Sequence, residues 1–129
     1  MNIDAAMLMA RSLMTEHGVG YMSFGFHDGG TLPLTTIGKC YFRKAGLSLY
    51  LPYRITVGVE WIKVMTSIEV KEIILHEIAH AKAPHGAAHG PAWQDECYKL
   101  GIEAKVRYSG LNVPQSVLDR LLDTAGAVA

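Results

Sequence analysis

At 129 residues the chain is long enough for one domain with its own core, and 50% apolar with 19% charged residues is an ordinary globular balance. Twelve Lys+Arg against twelve Asp+Glu give a formal net charge of zero, which excludes the global positive field of a dedicated nucleic-acid binder but leaves room for a local basic patch. The two cysteines, Cys40 and Cys97, form no C-x-x-C and build no zinc ribbon. The N-terminus has no basic leader region, and no apolar run reaches the ~18 residues of a membrane span, so a reducing, cytoplasmic setting with free thiols is expected.

Residues 2 to 17 read as an amphipathic helix, with Ile3, Met7, Ala10 and Met14 at helical spacing and Gly18 as its stop. His17 falls in the last turn, where a cation suits the helix dipole, and reads as a helix-end residue rather than a ligand. Tyr21 to Phe26 alternate and are aromatic, as in a strand. Gly29, Gly30 and Pro33 then mark a loop, with His27 expected to be solvated at its start. GKCYFRK and GLSLYLP read as two further strands, joined tightly at Ala45-Gly46 and ended by Pro52. Together the three are expected to form a small antiparallel sheet. Lys39, Arg43, Lys44, Arg54 and Lys63 cluster here, opposed by Glu60. A DNA-binding face is one reading of this cluster, and a solvated sheet face is the plainer one.

TVGVEWIKVM is compatible with a strand or a short helix and stays open. Thr66-x-x-Glu69 is a capping box that opens a helix running to about Ala83, with Ile68, Ile73, Ile74, Ile78 and Ala79 on its apolar face. PAWQDECYKLG is a short helix started by Pro91, lined by Trp93, Cys97 and Leu100, and ended by Gly101. Residues 114 to 124 form a last helix with Val117, Leu118, Leu121 and Leu122 inward. The whole is an α+β domain spanning 1–129.

Four of the six histidines lie between His76 and His89, beginning with H-E-x-x-H. His76 and His80, four apart on a helix, project one turn apart from one face, so both ring nitrogens can reach one zinc. Glu77 lies about 100° around the helix. From there its carboxylate can hold a water beside the metal without taking a coordination position. Chance alone places this pattern in about one of 70 chains of such composition, so its setting on an independently capped helix matters.

Two histidines do not complete a site, and several residues compete to be the third ligand. A histidine six after His80 would mark the metzincin spacing, but that position is Gly86. Glu96 and Glu103 are the carboxylate candidates, and His85 and His89 the histidines. His89 has the better physical case. It precedes Gly90-Pro91 at a helix start, where an imidazolium is disfavoured and the neutral ring that zinc needs is favoured. His85, beside the helix-breaking Pro84, reads as solvent-facing or cleft-lining. Tyr53, Arg54, Tyr108 and His85 are the candidates for stabilising an oxyanion, and nothing in the sequence chooses among them.

These residues carry a resemblance. LHEIAHAKAPHGAAHGPAW is similar to the core of the SprT-like (Spartan-type) metallopeptidase family, which has HExxH, a loop, and an HGP segment opening the next helix. EHGVGYMSFGF before a KCYF strand, LSLYLP and EVKEIILHEIAH resemble that domain's upstream order, and WQDECYKLG its downstream helix, over roughly residues 5 to 108. The resemblance implies a minimal zincin-like fold, zinc held by His76, His80 and His89, and Glu77 as catalytic acid/base. It also implies peptidase activity, directed in relatives at proteins crosslinked to DNA. Longer members continue into a cysteine-rich zinc ribbon, which these two cysteines cannot build, and so short a form fits a bacterial or phage-encoded version. The contrasting reading is a binding or DNA-associated adaptor module in which zinc is structural.

Overall fold

The computed structural model describes residues 1–28, 37–104 and 115–126. Helix α1 (Ile3–Glu16) starts where the Asn2 side chain accepts the backbone N–H groups of Asp4 and Ala5 at 2.7 and 3.1 Å. It ends at His17, followed by Gly18 at φ +80°, a left-handed stop that a side chain would strain. Ala6, Ala10, Leu13 and Met14 face the core. The Arg11 guanidinium donates to the carbonyls of Gly20 and Met22, fastening the turn into the sheet.

The sheet contains β1 (Ser23–His27), β2 (Gly38–Lys44) and β3 (Tyr50–Gly58) in the order β1-β3-β2. β2 and β3 form an antiparallel hairpin, but β1 runs parallel to β3. The sheet is therefore mixed, not antiparallel throughout as the sequence led us to expect. β3 folds back from β2 into the position beside β1, so the chain leaving β1 has to step over one strand position before β2 begins. Side-chain alternation records which face a residue takes, not which strand lies beside it.

Pro52 does not end β3. The pairing shifts from Tyr41↔Arg54 to Phe42↔Pro52, leaving Tyr53 as the extra residue of a bulge. Such an irregularity tolerates the missing proline N–H. The hairpin connection is longer than Ala45-Gly46 and closes through the Ala45 N–H on the Leu49 carbonyl at 2.8 Å. TVGVEWIKVM is divided between two elements: Thr56 to Gly58 finish β3, and α2 (Val59–Val64) follows at once.

Helix α3 (Ser67–Lys82) begins with the expected capping box, Glu69 N–H on the Thr66 hydroxyl and Thr66 N–H on the Glu69 carboxylate. Val70, Ile73, Ile74 and Ile78 are buried in one cluster with Ile37 just before β2, Ile55 and Val57 of β3 and the inner face of α1. Ile68 does not join them. It lies about 200° round the helix from Val70 and is 72% exposed. α4 (Pro91–Leu100) packs Trp93 and Cys97 against Ala79 and Ala83, and Gly101 at φ +76° ends it. In α5 (Gln115–Gly126), Val117 is buried and Leu118 and Leu121 pack on the core, while Leu122 is 57% exposed rather than inward. Arg120 of α5 donates twice to the Glu69 carboxylate, at 2.7 and 2.6 Å. Among the described residues no helix is long and apolar enough to cross a membrane.

Candidate metal centre

α3 brings His76 and His80 to one face, and the chain from Ala83 to Gly90 folds back to set His89 against them. That return needs special backbone. Gly86 has φ +85° and Ala88 φ +49°, both left-handed. Gly90 leaves room for the Ala87 carbonyl, which a Cβ there would approach to 3.0 Å. Pro91 then occupies the first turn of α4, and the Gln94 side-chain amide donates to the His89 carbonyl at 3.0 Å.

The ring nitrogens of the three histidines lie within 4.8 Å of one another. His89 Nε2 is 3.2 Å from His80 Nε2 and 3.3 Å from His76 Nε2. A ring nitrogen has a single in-plane site, carrying either a proton or a lone pair, so His89 Nε2 is poorly suited to serving both neighbours as a hydrogen-bond partner. A shared cation serves all three. A tetrahedral ion with ~2.0–2.1 Å bonds to nitrogen sets its ligand atoms about 3.3–3.4 Å apart, close to the observed spacing. The residues present therefore fit a metal ion.

Trp93 supplies the wall. It is fully buried, and its ring centroid lies 4.7, 5.3 and 4.7 Å from those of His76, His80 and His89. Its indole N–H donates to the His76 carbonyl at 3.4 Å. The same burial keeps the imidazoles neutral. Desolvation, with its two histidine neighbours adding to it, pushes His76 down to about 3. Desolvation, then His89, pushes His80 down to about 4. His89 is also lowered by burial. Neutral rings are the form a metal requires.

Glu77 is buried beside the trio, and desolvation pushes its carboxyl up to about 8. A cation nearby would draw that value back toward neutrality and below. The carboxylate is pressed against the edge strand β2. A Cβ on Gly38 would fall 3.1 Å from both Glu77 Cγ and Oε2. Cys40, two residues along on the same face, is raised to about 12 by burial and by the Glu77 charge. Sequence reasoning missed Gly38. The only available signal was a glycine opening a strand, which by itself names no neighbour.

The other candidates lie elsewhere. His85 stacks on Tyr50 with centroids 4.0 Å apart and meets Phe42 edge-on, instead of joining the trio. Glu96 pairs with Lys99 at 3.4 Å, and neither it nor Glu103 belongs to the cluster. Arg54 and Thr56 alternate with the core residues Ile55 and Val57 and so line, with Tyr41, a cavity on the sheet face away from α3, and Tyr53, the extra residue of the bulge, lines it too. Tyr53 and Arg54 are therefore misplaced to stabilise an oxyanion. Tyr108 lies outside the described residues. His17 caps α1 as expected. His27 is not a solvated loop residue. It ends β1, is half-buried, and has Nδ1 2.8 Å from the Thr56 hydroxyl. Both cysteines are free.

Neither the curated proteins nor the solved structures give a significant match to the chain. One family model does match, over residues 13–117, a span that takes in α1's last turn, the whole sheet, the histidine trio and α4. With most of its length in that match, the chain belongs to the SprT-like family.

Proposed function

We propose that this protein is a zinc-dependent endopeptidase, with His76, His80 and His89 as ligands and Glu77 as general base and acid. The carrying observation is the convergence of three neutral imidazole nitrogens beside one buried carboxylate. An all-nitrogen donor set favours zinc over magnesium or calcium, which prefer oxygen. Family membership supports the same reading.

Bound zinc would supply Lewis acidity, polarising a peptide carbonyl and lowering the pKa of water toward ~7. The chain's own residues do the rest. Glu77 takes a proton from the attacking water onto a carboxylate oxygen and delivers it to the departing amine nitrogen. The backbone of Gly38 lies against the Glu77 side chain, so close that a Cβ there would come within 3.1 Å of Oε2, and it limits where that oxygen can go. Trp93 seals one side of the trio and keeps the rings in the dry surroundings that leave them unprotonated. The contrasting reading, a binding module with structural zinc, gives Glu77 no task, although an ionisable side chain is costly to bury.

Glu77→Gln tests the assignment. It should keep stoichiometric zinc while cleavage of an unstructured protein such as casein falls on the order of 10²–10⁴-fold. Wild-type protein that carries zinc and cleaves nothing, with or without DNA, would overturn the peptidase reading.

A further inference from the structure

The β2–β3 hairpin carries an apolar tip into solvent. Among the described residues nine large hydrophobics are exposed, and four of them fall within five positions: Leu47, at 97%, with Leu49, Tyr50 and Leu51. The other five lie one each in α1, α3, α4, α5 and the turn before β1, and exposed hydrophobics occurring singly call for no explanation. The run at the hairpin does. The Ala45 N–H on the Leu49 carbonyl closes the connection, so Gly46, Leu47 and Ser48 form its apex.

Behind the apex the hairpin is basic. Between Asp28 and Glu60 the sequence has no Asp or Glu, while Lys39, Arg43, Lys44 and Arg54 all fall there. Lys44 pairs with Tyr50 and Arg43 with Leu51, so two cations and one phenol share a level of the hairpin. Arg43 and Lys44 are successive residues of a strand and take opposite faces, which puts positive charge on both sides of the tip. The base of the tip is braced. Tyr50 stacks on His85 at 4.0 Å and Phe42 meets the same ring at 5.0 Å, tying the hairpin to the loop between His80 and His89.

We propose that this tip docks on an anionic lipid bilayer, with Leu47 and Leu49 entering the headgroup–acyl boundary and Arg43 and Lys44 meeting the lipid headgroups. The layering carries the inference: an apolar apex, then a tyrosine and two cations one level back. Interfacial elements bury their apolar part ~5–10 Å deep, and the three residues from Lys44 to Leu47 span at most about 10 Å. Tyrosine is enriched at headgroup depth, and each cation close to an anionic surface adds to the attraction. A polyanion without an apolar layer would satisfy the cations and leave the leucines in water. A wholly apolar partner would strip water from Arg43 and Lys44 with no charge in return. The chain would lie on the surface without crossing it. The docking is independent of peptide hydrolysis and survives failure of the peptidase reading.

The test is co-sedimentation of the full chain, with zinc, on vesicles of phosphatidylcholine alone or mixed with phosphatidylserine. Binding to the anionic vesicles should be tighter on the order of tenfold. Leu47→Ser should weaken it about tenfold, and Lys44→Gln about fivefold, the second effect shrinking at high salt. Both side chains are exposed, so zinc content and melting temperature should match wild type. Leu47→Trp gives a second readout. Above the signal of the buried Trp61 and Trp93, its emission should shift to the blue on anionic vesicles and be quenched by brominated acyl chains. Absence of binding to anionic vesicles, binding that Leu47→Ser leaves unchanged, or a Leu47→Trp emission that lipid does not move would overturn the proposal. So would self-association of the chain that Leu47→Ser abolishes, which would assign the tip to a second copy.

Discussion

The two ends of α3 are held in opposite ways. At the N-terminal end the fastening is polar and half-exposed: the Thr66–Glu69 capping box and the paired Arg120 bonds to Glu69. At the other end it is apolar and dry: three neutral imidazoles around Trp93, with Glu77 wedged against Gly38. Screened ion pairs contribute little to stability and vary with pH and salt, whereas close packing fixes positions. The site that must hold its geometry sits at the packed end, and the end that only anchors the helix is left to charge.

The sharpest way to break this contrast is at the metal. Structural zinc sites are worth ~10–16 kcal/mol over four ligands, so losing one ligand should weaken binding on the order of 10²–10³-fold. His89→Ala should show that loss in a competitive chelator titration, and His85→Ala should not, because His85 is engaged with Tyr50 and Phe42. Equal effects would undo the ligand assignment. Trp93→Ala comes next. Removing a fully buried indole should cost about 3–5 kcal/mol by denaturant unfolding, and zinc retention should fall with it, since all three rings lose their wall.

Changes at the polar end should be smaller. Thr66→Ala should cost about 1 kcal/mol in unfolding free energy and leave zinc affinity unchanged. Arg120→Ala should cost about 0.5–1 kcal/mol, less at high salt. Acid sharpens this last point. Burial raises Glu69, but the Thr66 backbone N–H, the Arg120 bond and the Thr66 hydroxyl outweigh it and hold the carboxyl below its ordinary value of 4.5. A depressed carboxyl stabilises the fold above its unfolded pKa, and that contribution disappears as pH falls through the lower folded value. Wild type should therefore lose its advantage over Arg120→Ala in thermal melts taken below pH 4.5. A constant difference down to strong acid would remove charge from the account of that end.

The helices were legible because their signals are local. A capping box, Pro91 and Gly101 each act within a turn, and the boundaries of α3 and α4 followed. The His76–His80 spacing and the helix start after His89 are local too, and they named the three residues the structure brings together. What stayed hidden depends on distant parts of the chain. The strand order, the bulge that carries β3 past Pro52, and the exposure of Ile68 are set by which elements pack together. The same holds for Arg54. In the sequence it is one cation in a cluster, and only the register that pairs it with Ser23, with its guanidinium reaching over Gly25, assigns it to the outer face. Lys39, Tyr41 and Arg43 share a side of β2, whereas Lys44 takes the other and Lys63 belongs to α2, so the basic stretch is not one surface.

The close approach of Gly38 to Glu77 makes β2 a partition with a single thickness of backbone. Gly38 and Cys40 look toward the buried carboxylate, while Lys39 and Tyr41 look toward the tyrosine-lined hollow. The two compartments therefore share a common wall, and a substitution that moves this strand changes the lining of both.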